Sequence, residues 1–269
     1  MVAAHASLPG LVINIEVVTS PALNRPTFMR IALIGYGKMG RSIEQLALAA
    51  GHGISHRIHS GNAGQVAALE HCDVAIEFTQ PDAALRNFES ILSQGIPLVT
   101  GTTGWHESMD QVSGLVERYE GSFFHASNFS IGVHLCLAAN EYLASIMSKH
   151  KQYKCLLEEW HHTAKKDAPS GTAITFAERL IKTHAEYNRW ELQTPCEIEL
   201  QAPTLAVKAY REGGIPGTHR ITYTSEIDQI SLEHKAHSRE GFARGALAAA
   251  EWLVDKESGI YTMQDLLKP

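Results

Sequence analysis

The sequence predicts an α/β chain in two parts, a doubly wound parallel sheet followed by a smaller α+β unit. Three observations carry this reading. A glycine-rich loop, Gly35-Tyr36-Gly37-Lys38-Met39-Gly40, follows a short β-prone run and opens a helical one. Strand-like and helix-like runs then alternate as far as Ser127. After Asn128 the pattern changes to a long helix and then several neighbouring strands, which is α+β grammar.

Taken in order, Arg30–Ile34 is apolar and β-prone, and the run after the glycines is helical to Ala50. Ile54–His59 and Asp73–Phe78 read as the second and third strands, the latter entering a helix started by Pro81. Pro97–Thr100 is a fourth strand, then comes a helix through Tyr119, and Ser122–Ala126 is a fifth strand. Ile131–Met147 is a long amphipathic helix, Tyr153–Trp160 is extended, and Ala173–Ile181 is helical. Ile198–Arg211, Thr218–Thr224 and Ile227–Lys235 read as strands broken by Gly213-Gly214 and Pro216-Gly217, and Glu240–Val254 is the last helix. Residues 1–28 lack a basic signal-peptide start and read as a disordered leader, with a strand over Val12–Val18 as the competing reading.

Bulk composition narrows the partners. With 44% apolar and 19% charged residues and a net charge of -6, the chain suits a folded protein and not a broad polyanion-binding surface, so no nucleic-acid partner is expected. No apolar run is long enough to span a bilayer, so no membrane partner is expected either. Cys72, Cys136, Cys155 and Cys196 are widely spaced without a C-x-x-C pair, which points to reduced thiols in cytoplasm.

The glycine loop has the context that dinucleotide binding needs. Gly35 permits the tight turn, Gly37 lets the backbone approach a pyrophosphate, and Gly40 lets helix and strand pack closely. The helix N-terminus then offers unpaired N–H groups to phosphates. A glycine turn without a ligand is the plainer alternative. No acid stands at the end of the second strand to hold a ribose 2′-hydroxyl; His56-Arg57-Ile58-His59-Ser60 is there instead. Arg57 without a carboxylate leans towards a 2′-phosphate and hence NADPH, and surface roles for these residues stay open. Gly101-Thr102-Thr103 ends a strand where ligands of open sheets sit. Asn128-Phe129-Ser130 either closes the same pocket or serves as a hinge.

The segment HHTAKKDAPSGTA, His161 to Ala173, gathers titratable groups before a turn. Ser170 or Thr172 is a natural N-cap, and Gly171 allows close approach to the uncapped N–H groups, which makes an anion cradle. His161 and His162 titrate near neutrality, and Lys165 and Lys166 add positive charge. A surface histidine pair, solvated lysines and a simple Asp-x-Pro-Ser-Gly turn are the bland alternatives for each alone; the combination downstream of a dinucleotide loop favours proton transfer to an acidic substrate. No metal site is expected, because no carboxylate or cysteine stands at a usual ligand spacing.

The run E-x-H-H-x-x-K-x-D-A-P-S-G-T-A, Glu159 to Ala173, resembles the signature of the 4-hydroxy-tetrahydrodipicolinate reductase (dihydrodipicolinate reductase) family. So do G-Y-G-K-M-G-R, the G-T-T-G of Gly101–Gly104, S-N-F-S-I-G from Ser127, R-E-G-G-I-P-G-T-H-R from Arg211, and H-K-A-H-S-R-E-G-F-A-R-G-A from His234, in order from Met29 to the end. The resemblance implies a Rossmann dinucleotide-binding domain over residues 29–127 and 239–269, and a substrate-binding domain over 128–238 whose mixed sheet builds a homotetramer. It implies reduction of a cyclic dicarboxylate in diaminopimelate and lysine biosynthesis with NADH or NADPH. By match of position, His161 would be the proton donor and acceptor and Lys165 a proton donor; His162, Gly171 and Thr172 would touch substrate. Residues Gly35 to Gly40, Gly101 to Thr103, and Ser127, Asn128, Phe129 and Ser130 would touch cofactor. The glycine loop is one residue shorter than the family's common G-x-G-G-R-M-G, and His59 or Ser60 stands where many members carry an acid. Individual phosphate contacts and the choice of cofactor therefore stay open. Rival readings are another two-domain Rossmann enzyme, such as an amino-acid or semialdehyde dehydrogenase, and a non-catalytic nucleotide sensor.

Overall fold

The structure, a computed structural model, describes residues 28–194, 202–238 and 240–268. The leader expected over residues 1–28, the strand proposed there, and the first residues of the run from Ile198 lie largely outside the described residues.

The first sheet is built from β1 (Arg30–Ile34), β2 (Gly53–Ile58), β3 (Val74–Glu77), β4 (Leu98–Thr100), β5 (Ser122–His125) and, from the far end of the chain, a strand at Gly259–Tyr261. That last strand, β11 in chain order, pairs with β5, and the sheet runs β11-β5-β4-β3-β1-β2 with every pairing parallel. Parallel strands are covered on both faces, and β1 displays both. Ile31 and Leu33 face the layer that contains α1 (Lys38–Ala49) and α6 (Glu240–Leu253). Ala32 and Ile34 face α2 (Pro81–Leu92) and α3 (Met109–Arg118). The period of two along the strand sends alternate residues to opposite layers. Pro81 stands at the first turn of α2 with Asp82 beside it, both suited to a helix start.

β3 lies on the opposite side of β1 from β2, so the chain reverses direction across the sheet at β1. Such a switch point opens a crevice beyond the carboxyl ends of the strands, and both the glycine loop and Phe78-Thr79 project into it.

The second sheet runs β10-β9-β6-β8-β7, from β6 (Lys154–His161), β7 (Arg189–Gln193), β8 (Thr204–Arg211), β9 (Thr218–Thr224) and β10 (Gln229–Lys235). It is mixed: β6 and β7 pair parallel with β8, while β9 pairs antiparallel with β6 and β10. β8 and β9 are consecutive in the chain but not neighbours, because β6 lies between them. α4 (Ile131–Met147) and α5 (Gly171–Thr183) cover one face around Leu157, Leu205, Ile221 and Tyr223. On the other face Trp160 stacks on Tyr210 with 4.9 Å between centroids, and the Arg220 guanidinium lies 5.0 Å from the Trp160 ring. A short α7 (Met263–Leu266) follows β11. Both β7 and β11 went unrecognised as strands in the sequence, and so did the 3-10 turn over Ser60–Ala67.

Candidate active site

The glycine loop is held by close approach. Gly35 has φ +96°, and a Cβ there would lie 2.0 Å from the Phe78 carbonyl oxygen. Its N–H and that of Tyr36 both donate to the Ile58 carbonyl, at 2.9 and 2.8 Å. A Cβ on Gly40 would stand 2.7 Å from the Gly35 oxygen. Gly37 differs: a Cβ there would meet no protein atom within 4 Å. The space it would fill lies at the start of α1, whose first turn carries no acid. Gly35 and Gly40 thus fit the protein to itself, whereas Gly37 leaves room for a phosphate at a positive helix end. That arrangement fits a dinucleotide.

Two cavities meet here. One, of about 390 Å³, is walled by Gly35, Tyr36, Gly37, His59, Ser60 and Val66, with Thr79 and Asn87 opposite. The other, of about 550 Å³, is walled by Gly37, Lys38, Met39, Phe78, Thr79, Gly101, Thr102 and Thr103. The loops between them are tied by Glu77, a fully buried carboxylate. It accepts from the Thr100 hydroxyl at 2.5 Å, from the Thr79 N–H at 3.1 Å, and from the Thr79 hydroxyl. Burial pushes the Glu77 pKa up, and these hydroxyls pull it down. The Thr79 N–H also donates to the Thr102 hydroxyl at 2.7 Å, so the β3 and β4 loops move as one.

Other expected cofactor contacts are placed differently. Arg57 does not line either cavity. Its side chain crosses to α1, where Nε donates to Glu44 at 2.8 Å and a second guanidinium nitrogen donates to the same oxygen. Phe129 is a core side chain between Phe78 and Phe124, and Ser130 caps α4 by accepting from the Val133 N–H at 3.3 Å. Ser127 is exposed. Asn128 spans to the second part of the chain, its amide donating to the Thr172 hydroxyl at 3.1 Å.

The second part builds a buried charge network on β6. Cys155, Leu157, Glu159 and His161 alternate towards the helical face. Register then does the assembly: Glu159 sits opposite His219 on β9, and His161 opposite Arg211 on β8. Glu159 is wholly buried, and both of its oxygens accept from the Ser170 N–H, at 3.0 and 3.1 Å. Arg211 donates to it at 2.9 Å and also to the carbonyls of Asp167 and Tyr210. His161 Nδ1 is 3.4 Å from Glu159, within ion-pair range although the angle makes no proper hydrogen bond. Burial drives the His161 pKa down; Glu159 opposes this, while the charges of Lys165 and Arg211 add to it. His219 is pushed down to about 3, chiefly by burial, and so is neutral. Its Nε2 lies 3.2 Å from the Ser170 hydroxyl.

Ser170, not Thr172, caps α5: its hydroxyl accepts from the Ala173 N–H at 3.1 Å. With the Ser170 N–H turned to Glu159 and the Ile174 N–H returned to the Ser170 carbonyl, the N–H groups of Gly171 and Thr172 remain as the helix end that can meet an anion. Apart from its own chain neighbours and helix backbone, no atom of the described residues lies within 4 Å of a Cβ built on Gly171. Lys165 stands nearby with its ammonium on Asp167 at 2.7 Å. His162 is half-buried, its N–H on the Ile215 carbonyl.

Two outcomes were not legible beforehand. Glu159, His161 and His219 bring ligand atoms within 4.8 Å of one another, a metal-like grouping that sequence spacing did not suggest. Arg211 already occupies the carboxylate at 2.9 Å, which makes the group an electrostatic network in which a cation is already present. Arg211 and His219 were also missed as site residues, since only strand pairing brings them to His161.

Comparison with known proteins bears on the family and the fold. Residues 29–129 match the family model for the N-terminus of dihydrodipicolinate reductase, and residues 132–267 match the model for its C-terminus. A curated 4-hydroxy-tetrahydrodipicolinate reductase from Christiangramia forsetii is 40% identical over 239 residues, 89% of this chain and 98% of that protein. Among solved structures, dipicolinate-bound dihydrodipicolinate reductase from Paenisporosarcina sp. TG-14 superposes with a TM-score of 0.71 at 20% identity, covering 90% of this chain and 100% of the other. An amine dehydrogenase from Mycobacterium smegmatis shares the fold more loosely, with a TM-score of 0.52 at 10% identity over 88% of this chain and 95% of the other. With both halves matched in order and a relative of that identity along nearly its whole length, the chain belongs to the dihydrodipicolinate reductase family.

Proposed function

We infer that the chain is an NAD(P)H-dependent oxidoreductase that reduces 4-hydroxy-tetrahydrodipicolinate to tetrahydrodipicolinate and water, a step of diaminopimelate and lysine biosynthesis. The family membership supports the reaction. The observation that carries the residue roles is the pairing of an open helix end at Gly171-Thr172 with His161 and Lys165 on the same segment.

Gly35, Gly37, Lys38 and the Gly101–Thr103 loop would hold the dinucleotide. When bound, its reduced nicotinamide supplies a hydride. The chain's own residues do the rest. The N–H groups of Gly171 and Thr172 hold one substrate carboxylate, and His162 and Lys165 offset its charge. The net reaction takes up one proton and expels the ring hydroxyl as water, so an acid must serve the substrate; His161 and Lys165 fill that role. Glu159 stands 3.4 Å from His161 Nδ1, and its charge opposes the downward pull of burial on the imidazole pKa. Fixing a dianion against the cofactor is chiefly a matter of orientation.

The same reading includes a homotetramer in the cytoplasm. It is supported by the second face of the mixed sheet, where Trp160, Tyr210 and Arg220 form a continuous aromatic and cationic surface opposite the helical layer.

The test is loss of nicotinamide absorbance on adding freshly made substrate, with each cofactor in turn. His161→Ala and Lys165→Ala should each lower kcat by about 100- to 10,000-fold and leave the Kd for the dinucleotide nearly unchanged. Near-wild-type kcat in both variants rejects these roles.

A further inference from the structure

The end of the nucleotide cleft beyond β2 has an unusual charge balance. A cofactor with a 2′-phosphate needs a cation there, and one with a free 2′-hydroxyl is commonly held by an acid. The cavity wall after β2 is His59 and Ser60, and no lysine or arginine is among the residues that line this cavity. Asp82 contributes a carboxylate to the opposite wall.

Arg57, the cation carried by this strand, is tied elsewhere. Both its Nε and a terminal nitrogen donate to one oxygen of Glu44 on α1, while the Tyr36 hydroxyl donates to the other. Tyr36 is itself a wall of the cavity, with the Arg41 guanidinium 5.5 Å from its ring. The Glu44 side chain is 14% exposed and is held by Tyr36 behind the cavity wall, so it is not a freely moving surface group. A 2′-phosphate that recruited Arg57 would first break two charge-assisted bonds, then face the Glu44 carboxylate left behind.

We propose that Glu44 is a specificity-determining residue acting through Arg57: by holding the guanidinium on the α1 side of β2, it leaves the cavity wall after β2 without a cation for a 2′-phosphate, Lys38 lying on the adjoining cavity, and makes the enzyme favour NADH over NADPH. This rests on the dinucleotide-binding reading above. It reverses the lean towards NADPH that Arg57 suggests in the bare sequence, because the acid absent from β2 is supplied by α1.

The experiment titrates NADH and NADPH separately, without substrate, into the full-length chain and into Glu44→Gln, Arg57→Ala and the double variant, following nucleotide fluorescence. Wild type should bind NADH at least about 5-fold tighter than NADPH. Glu44→Gln should tighten NADPH by about 10-fold or more, the low end of the worth of one charge-assisted bond, and leave NADH within about 2-fold. Arg57→Ala alone should not move NADPH, and the double variant should lose the gain. If Arg57→Ala weakens NADPH in the wild-type background, the guanidinium already reaches the phosphate and the proposal fails. If Glu44→Gln moves both nucleotides by the same factor, its role is only to support Tyr36, and the proposal fails too. Absence of binding by either nucleotide to wild type overturns the dinucleotide reading itself, a result distinct from binding with an unchanged ratio.

Discussion

Replacing Glu159 by glutamine would take one charge from the middle of the second sheet and change almost nothing in shape. The carboxylate is fully buried, accepts twice from the Ser170 N–H, and meets Arg211 at 2.9 Å, where the arginine side chain is 20% exposed. Removing one partner of a buried ion pair costs about 3–5 kcal/mol. Two things soften this here: Arg211 keeps the carbonyls of Asp167 and Tyr210, and the glutamine oxygen can still accept from Ser170. The expected loss is therefore about 2–4 kcal/mol. At roughly 2–4 °C per kcal/mol for a chain of this size, Tm should fall by about 4–16 °C. Denaturant titration and calorimetry read that loss. A pH profile reads the second consequence. Glu159 raises the His161 pKa against burial, so without it His161 falls further. The limb of kcat/KM that needs protonated His161 should then move to lower pH. A variant within about 0.5 kcal/mol of wild type, with that limb unmoved, would refute the network as a support for His161.

Two glycines separate ligand space from packing space. Gly245→Ala should lower stability by about 1–3 kcal/mol or more, since the new Cβ would lie 1.7 Å from the Phe129 oxygen. Gly37→Ala should unfold like wild type yet bind NADH about 10-fold more weakly, a cost of about 1.4 kcal/mol; normal binding by that variant would put the diphosphate elsewhere. His219 gives a pH prediction. Its folded pKa of about 3 lies below the ordinary value of 6.5, so the unfolded chain binds more protons between those limits. Its contribution to stability is present above pH 6.5 and is lost as pH falls through that window, by up to about 1.4 kcal/mol per pH unit. His219→Gln should flatten the acid limb of a stability–pH curve, and an unchanged slope would count against the burial of a neutral imidazole.

What could be read from the sequence followed the range of the interactions. β1, α4 and β9 have the expected bounds because a short apolar β-prone run, a long amphipathic run and a run bounded by glycine turns are local signals. β7, with sequence RWELQ, mixes charge and apolar residues at a sheet edge, and β11 has only three residues. β11 is too short to carry a period, whereas β7 does alternate polar and apolar residues over five positions, a local strand signal that sequence reasoning did not use. The contiguous part of the site, His161 to Thr172, was legible for the same reason. Its supports were not. His219 and Arg211 join His161 only because β6 inserts between β8 and β9, a choice of strand order that no single stretch encodes. The direction of the Arg57 side chain is set on a finer scale. The β1–β2 pairing slips by one residue between Ile31 and Ala32, and alternation along β2 sends Ile58 to the α2 layer and Arg57 to α1.

The two anion sites share one physical device and differ in how it is tuned. In the reading proposed above, each is a helix start with a glycine at its edge, Gly37 before α1 for the dinucleotide and Gly171 as the first residue of α5 for the substrate. At α1 the loop N–H groups of Gly35 and Tyr36 are taken by the Ile58 carbonyl, which fixes the backbone and leaves Gly37 facing open space. At α5 a buried acid takes the Ser170 N–H. That choice has a consequence for chemistry: burial and the charges of Lys165 and Arg211 push the His161 pKa down, and the negative charge of Glu159 opposes them. The link between the halves is the Asn128 amide on the Thr172 hydroxyl, placed where the last strand before the crossing meets the substrate cradle. A side chain at the end of the first sheet therefore orients the Thr172 hydroxyl beside the open start of α5.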